Sequence, residues 1–431
     1  MPAERSKTKG RKTNMSSEFV TQIRVRRERL LKTLTELSRI GRDPTGGITR
    51  TTFCEADLQA RKYVIDLMHD AGLQVKMDQF ANIIGIMKGP PRSPVVICGS
   101  HIDTVPNGGA LDGAYGVLAG IEVIQRIMEE DISTRNGIEV VAFTEEEGAR
   151  FPAFMGSLGF TGLLPKPVAY SLKDRDGISF EEALAGVGLD CASQSPAHLS
   201  NEEFKAYVEL HIEQGPILER ESIPIGVVES IVGVGELAVE IEGCCGHSGT
   251  VPVALRRDAL VGAAQIVLGV NHIMCVRASS LATVGQIDIL PNASNAIPSK
   301  VTIGIDFRDS TLSGLESLQG EIVSVCERVA KENNLSVTVK TRTYANPARM
   351  SATVIDAIIS SAQEMNLEDK TMHSGAAHDC QNMAAVTDAG MIFVPCRGGF
   401  SHSPDESAYP ENLEAGANVL LGTVLRLANQ C

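Results

Sequence analysis

PVVICGSHIDTVPNGGALDG, residues 94–113, is the stretch on which the fold turns. Its first part, Pro94–Ser100 (PVVICGS), is an apolar run that predicts a buried strand. Helical spacing follows over Gly116–Met128, and a second apolar run, Ile138–Thr144 (IEVVAFT), predicts another strand. Strand, helix, strand at this spacing gives an α/β layer with a mostly parallel sheet. Such sheets place their ligands outside the carboxyl ends of the strands. His101, Asp103 and Asp112 follow the first strand there, and FTEEEGARF (143–151) closes the second.

Working outward, helical spacing covers 18–40 and 56–72 upstream. Downstream the pattern changes. Residues 228–242 (VESIVGVGELAVEIE) and 300–309 (KVTIGIDFRD) alternate with period two, with a helical segment at 256–274 between them and a second at about 313–333. Two strands with helices predict a separate α+β module. Helical spacing resumes at 354–365, a strand follows at 390–395, and a last helix covers 412–428. The expected organisation is a disordered basic tail (1–16), an α/β domain in two parts (17–227 and 343–431), and an inserted α+β domain (228–342).

A chain of 431 residues is too long for one ordinary core, which agrees with two domains. With 43% hydrophobic and 21% charged residues it has a globular composition. The net charge of −14 argues against nucleic acid or an anionic membrane as main partner, though a local pocket can still be positive. No apolar run approaches the roughly 20 residues that span a bilayer. The ten cysteines form no repeating framework, and the close pair Cys244–Cys245 is adjacent rather than CxxC. Reduced thiols in a cytoplasmic protein are expected. Residues 1–15 carry five Lys/Arg and lack the apolar region of a secretory signal, with organelle targeting left open.

His and carboxylate together suit zinc, manganese or cobalt better than calcium. Asp and Gly in the 101–113 loop are equally good turn formers. Glu145, Glu146 and Glu147 read either as a solvated charge run or as a pair of tasks. In the second reading one carboxylate binds metal while its neighbour serves as general base. His211 lies in HIEQGP, His247 in GCCGHSGTVP and His402 in GGFSHSPDE. Alone, each is more often structural than a ligand. Five of the nine histidines (His101, His211, His247, His378, His402) sit beside small or turn-forming residues, and that joint occurrence points to a metal site. No GxSxG elbow, GxxxxGK[ST] loop or GxGxxG after a strand is present, which leaves metal-assisted hydrolysis.

GSHIDTVPNGGALDG, TEEEGARF, ELHIEQGPILE, GHSGTVP, HSGAAHD and FSHSPDE occur in an order that resembles the hydantoinase/carbamoylase amidases. That family includes N-carbamoyl-L-amino acid hydrolases, allantoate amidohydrolases and ureidoglycolate amidohydrolases, within the di-zinc aminoacylase–carboxypeptidase superfamily. The resemblance runs from about Gly46 to Ser403. It implies a di-metal aminopeptidase-like catalytic domain interrupted by a lid and dimerisation domain. It further implies two divalent ions (Zn2+ or Mn2+, with Co2+ or Ni2+ also accommodated), held by His101, Asp112, Glu147, His211 and His402. Asp112 would bridge them, Glu146 would be the general base, and Asp103 would orient His101. Gln214, His247, Asn295 and Arg308 would contact substrate, with His247 stabilising an oxyanion, often across a homodimer interface.

Arg308 in IDFRD shares a strand face with Asp306, so its fork serves either a substrate carboxylate or a strand-edge salt bridge. The chain departs from the usual family pattern at Val253, Ala377 and Cys380, and His378–Asp379 is expected to support the site from behind. The implied reaction is cleavage of the ureido C–N bond of a small N-carbamoyl carboxylate, releasing ammonia and CO2. Allantoate, ureidoglycolate and N-carbamoyl-L-amino acids all qualify, and AIPSK and CRGGFSHSP lean toward the purine-catabolic members. The alternatives are an N-acyl amino acid hydrolase or dipeptidase, and a non-catalytic metal-binding relic. The relic is disfavoured because every ligand position and the base are filled.

Overall fold

The computed structural model describes residues 23–87, 94–189, 201–277 and 280–430, so the expected basic tail lies outside the described residues. The chain forms two compact units. The first comprises residues up to Glu229, Met350–Met372 and His378 onward; the second is Ser230–Arg349 with His373–Ala377.

In chain order the first unit opens with helix α1 (Arg27–Leu37), which buries Leu30, Leu34 and Leu37 at helical spacing. Helix α2 (Glu55–Asp70) leads to strands β1 (Gln74–Met77), β2 (Ile83–Met87) and β3 (Val95–His101). Helix α3 (Ala114–Glu129) crosses to β4 (Gly137–Phe143), and β5 (Phe204–Ile212) and β6 (Ile225–Ile231) follow. β4 is buried at every position and β3 at all but its first, which is why both read as continuous apolar runs rather than alternating ones.

The second unit is built from β7 (Gly233–Glu242), β8 (Gly246–His247), α4 (Ala259–Val276), β9 (Ser280–Leu290), β10 (Ala296–Ile297), β11 (Lys300–Asp309), α5 (Leu312–Glu332) and β12 (Ser336–Ala345). β12, β7, β11 and β9 pair in that order as an antiparallel sheet, and β8 pairs with β10. Alternate residues Leu237, Val239 and Ile241 of β7 meet Val301, Ile303, Ile305 and Phe307 of β11 in the core. Ile266 and Val270 of α4 and Leu318 and Ile322 of α5 cover that face.

Three expectations change here. Residues 228–242 are not one strand but β6 and β7, parted at Val232. β7 alternates buried and half-buried positions, whereas six of the seven β6 positions are buried. The unit holds four long strands rather than two, and it runs on to Arg349 because β12 belongs to its sheet. Helix α4 has 18 residues and is apolar enough to cross a membrane, closer to that length than the sequence reading allowed. It lays Ala259, Ala263, Ile266, Val270 and Ile273 into the unit's core.

The chain returns through β13 (Ala348–Arg349), α6 (Ala352–Glu364), β14 (Asp369–Ser374) and β15 (Ala389–Val394), and ends in α7 (Pro410–Asn429). The large sheet has the order β1-β2-β4-β3-β5-β15-β6-β13, with β14 also paired to β6. Its centre, β4-β3-β5-β15, is parallel, and β1, β2 and β6 are antiparallel additions.

Arg50, in the GGITR stretch, ties this unit together from inside. Fully buried, it donates from Nε to Ile102 O (2.9 Å) and from Nη1 to Leu37 O (3.3 Å) and Ile40 O (3.2 Å). It thereby fastens the end of α1 to the loop after β3. Burial lowers its guanidinium to about 10, which still leaves it charged at neutral pH. Arg50→Met is expected to remove about 2–3 kcal/mol of stability by leaving buried carbonyls unpaired, read as a fall in the urea midpoint with chelator present in both samples.

Candidate metal centre and active site

The parallel strands deliver their carboxyl ends to one side of the sheet, and the candidate ligand residues gather there. His101 ends β3, and Glu146 and Glu147 follow β4. His211 lies near the end of β5, Asp112 just before α3, and His402 in the loop between β15 and α7. Asp112 is the centre. Its Oδ1 lies 3.1 Å from His211 Nε2 and 3.5 Å from His101 Nε2, while its Oδ2 lies 3.1 Å from His402 Nε2. Glu147 Oε2 is 3.5 Å from His402 Nε2, and Glu146 Oε2 is 3.5 Å from His101 Nε2. Four candidate ligand groups result among the described residues; two of them, His101–Asp112–His211 and Asp112–Glu147–His402, share Asp112, and the others are His101–Glu146–Glu147 and Glu209–His211–His378.

Backbone carbonyls set the imidazoles. His101 Nδ1 donates to Asp103 O (3.0 Å) and His211 Nδ1 to Ile212 O (2.9 Å), which turns each Nε2 lone pair toward Asp112. His211 Nε2 also receives the Gly113 N–H (3.0 Å), but His101 Nε2 is buried without a hydrogen-bond partner. Gly113 is required there: its φ is +61°, and a Cβ would stand 2.4 Å from the His101 ring. Asp103 meets His101 twice: its backbone carbonyl accepts from Nδ1, and its carboxylate Oδ1 lies 3.7 Å from the same nitrogen. The carboxylate also accepts from the Glu146 N–H (3.3 Å) and Glu147 N–H (3.2 Å), because the loop after β4 turns its amides toward it.

The cluster calls for positive charge. Burial opposes a charged His101, yet Glu146, Asp112 and Asp103 outweigh it and hold the imidazole well above its ordinary value. Asp112 resists burial in the same way and stays well below the carboxylate range, because His101, His211 and His402 surround it. Burial, reinforced by Glu147, Asp379 and Asp112 against the pull of His101, pushes Glu146 well up. An acidic cluster around three imidazoles, with the buried Nε2 of His101 orphaned, fits divalent cations, with protons as the alternative occupants.

Competition with protons has a sign. Burial and the nearby Asp112 raise Glu147 to about 7, and the Asp112 hydrogen bond raises His402 to about 9. Both groups must be unprotonated to ligate. Metal affinity of the metal-free protein is therefore expected to fall as pH drops through 9 and then 7, with protons released on loading. Calorimetric titration in buffers of different ionisation enthalpy measures this; affinity flat from pH 6 to 9 would contradict it.

Other residues frame the centre. Gln214 Nε2 donates to Asp112 Oδ2 (2.8 Å), while its Oε1 is buried without a partner. His378 packs its ring 4.6 Å from that of His211, support from behind, and Asp379 beside it is fully buried. Glu145 is a turn-maker: its Oε1 accepts the N–H groups of Arg150 (2.8 Å) and Phe151 (2.9 Å). Glu145, Gln214 and His402 all take left-handed backbone, a strain of about 1 kcal/mol or more each.

Sequence reasoning missed two buried carboxylates. Glu209 accepts from Ser100 Oγ (2.7 Å) and the Cys380 N–H (2.9 Å). Glu406 accepts from the N–H groups of Leu111 (2.7 Å) and Asp112 (3.0 Å) and from Ser401 Oγ (2.9 Å). Glu406 closes the quoted FSHSPDE block, so its signal was present.

Within the second unit, His247 and Asn295 come together in the β8–β10 ribbon: His247 pairs with Ala296, and Asn295 O accepts from the Ser248 N–H (3.1 Å). Arg308 shares its face with Asp306 and holds it through Nε (2.9 Å) and Nη2 (3.1 Å), with Nη1 on Gly375 O (2.7 Å). The salt bridge exists, but on an inner strand of the sheet, not at an edge.

The parallel α/β layer, the inserted module and this carboxylate–imidazole cluster agree with the family that the sequence matches. The chain belongs to peptidase family M20/M25/M40, whose pattern covers residues 97–426. More narrowly, it is 40% identical over 403 residues to the N-carbamoyl-L-amino acid amidohydrolase of Geobacillus stearothermophilus, covering 93% of this chain and 98% of that one. It is 38% identical to the ureidoglycolate hydrolase of Arabidopsis thaliana, covering 91% of this chain and 85% of that one. The crystal structure of a hydantoinase/carbamoylase family amidase from Burkholderia multivorans superimposes with a TM-score of 0.87 at 36% identity, covering 95% of this chain and 99% of that one.

Proposed function

We propose that this hydrolase of C–N bonds cleaves the ureido group of a small N-carbamoyl carboxylate, such as allantoate, ureidoglycolate or an N-carbamoyl-L-amino acid, to ammonia and CO2. The observation that carries the reading is Asp112, shared between two ligand groups with the Glu146 carboxylate beside them. His101, Asp112, Glu147, His211 and His402 would hold two divalent ions, whose chemistry would be Lewis acidity toward the carbonyl and a more acidic attacking water. Glu146 takes the proton of that water and returns it to the departing nitrogen. Its buried, acid-rich surroundings favour holding a proton once taken. Asp103 keeps Glu146 and Glu147 in place through their backbone N–H groups.

Gln214 Oε1, buried and without a partner, suits a ureido N–H. His247, Asn295 and Arg308 are assigned to substrate on the strength of the family resemblance. For Arg308 that role requires sharing its fork with Asp306. A homodimer through the second unit is supported by apolar side chains exposed on α4 (Val261, Leu268, Val276) and on the edge strand β9 (Leu281, Ile287, Leu290). All eight described cysteines are free, which fits a reducing compartment.

Ammonia release tests the reaction. Protein reconstituted separately with Mn2+ and Zn2+ is offered allantoate, ureidoglycolate, N-carbamoyl-L-amino acids, 3-ureidopropionate and an N-acetyl amino acid. Ammonia from a ureido compound, lost with chelator, is expected. Silence on all of them with cleavage of the acetyl compound would overturn the proposal.

A further inference from the structure

The centre is assembled from loops far apart in sequence, and one buried side chain spans two of them. Glu406 is 7% exposed. Its Oε1 accepts from the Leu111 N–H (2.7 Å) and the Asp112 N–H (3.0 Å), the last amides before α3 bends away through Gly113. Its Oε2 accepts from Ser401 Oγ (2.9 Å), the residue preceding His402, and its own N–H donates to Ser403 O (3.2 Å). Ser401 Oγ also lies 3.2 Å from Asp112 Oδ2. The contact is close enough that a Cβ on Gly109 would stand 2.0 Å from the Glu406 carboxyl group. Oxygens facing Asp112 therefore come from a group whose backbone partners belong to the Asp112 loop and whose side-chain partner belongs to the His402 loop.

We propose that Glu406 is a positioning residue that sets Asp112 and His402 in register for the second cation, the one shared by Asp112, Glu147 and His402. The inference rests on the metal reading given above and extends it to a residue outside the ligand set. Glu406 works through hydrogen-bond geometry, not through its charge. A second carboxylate beside Asp112 adds repulsion, whereas its oxygens supply acceptors that no nearby group replaces. An amide of the same shape can do the same, with Oε1 accepting from both backbone N–H groups and Nε2 donating to Ser401 Oγ. Shortening the side chain by one methylene keeps the charge but withdraws it from the Asp112 loop.

Glu406→Gln and Glu406→Asp separate geometry from charge. Full-length protein, stripped with chelator, is titrated calorimetrically with Mn2+ at one pH, and each form is checked for fold by circular dichroism. Two ions are expected in the wild type. Glu406→Gln keeps both affinities within about threefold, while Glu406→Asp weakens one of them by about 10–100-fold, the range found when groups that orient metal ligands are removed. A role in stability alone would shift melting temperature and leave metal affinity unchanged. Wild-type affinity in Glu406→Asp, or a loss in Glu406→Gln as large as that in Glu406→Asp, overturns the proposal. A wild type that takes up no Mn2+ overturns the metal reading beneath it, and the two failures cannot be confused because neither measurement depends on the substrate.

Discussion

Glu146→Gln is expected to lower kcat by about 10²–10⁴-fold while both metal ions stay bound, because general acid–base groups contribute on that scale. The substitution keeps the shape of a side chain whose Oε2 stands 3.5 Å from His101 Nε2. It also leaves the Glu146 N–H on Asp103 undisturbed. What it removes is the ability to accept a proton from water and hand it on. Burial and the neighbouring carboxylates favour the protonated form of Glu146, which suits a group that must hold a proton between two steps. Steady-state kinetics on the substrate found in the ammonia assay, paired with elemental analysis of the purified variant, checks both halves. Retained turnover, or loss of an ion, would remove Glu146 from the role of base.

Asp112→Ala has the larger structural consequence. Each of its oxygens serves a different imidazole group, with Gln214 also on Oδ2, so one truncation strips a ligand from both cation positions. Both ions are expected to be lost and activity with them. The thermal response carries the same information without a substrate. A ligand that binds only the folded state stabilises it by about 2.7 kcal/mol at a hundred times its dissociation constant. Mn2+ or Zn2+ should therefore raise the melting temperature of the wild type and leave that of Asp112→Ala where it was. A metal-induced rise of equal size in the variant would mean that the ions sit elsewhere.

The parallel layer was legible because strands covered on both faces leave unbroken apolar runs, as Val96–Cys98 and Ile138–Phe143 do. The second unit was half legible. β7 and β11 alternate cleanly because one face packs against helices, but β9 exposes Leu281, Ile287 and Leu290, so its inner and outer faces look alike in sequence. Arg308 and Asp306 could be paired from strand periodicity, whereas Gly375, 67 residues away, could not. The candidate ligand residues were visible as types in turn-rich loops. Their arrangement around Asp112, and the hold of the Asp103 carbonyl on His101, depend on backbone direction, which side-chain identity does not encode. Glu406 lay inside the quoted FSHSPDE block, but its reach to the Leu111 and Asp112 amides, far back in the chain, has no local trace.

The long segment of the second unit, Ser230–Arg349, begins and ends on neighbouring backbone, since Ile231 pairs with Ala348 and Ser230 with Arg349. Antiparallel partners stand only about 4.5–5.5 Å apart, so the long insertion departs and returns through a doorway one residue wide. A graft with that footprint needs no stretched splice. The segment from Val232 to Pro347 can be replaced by a short hairpin turn, or by a foreign module with close-set ends, without asking the host chain to span a gap.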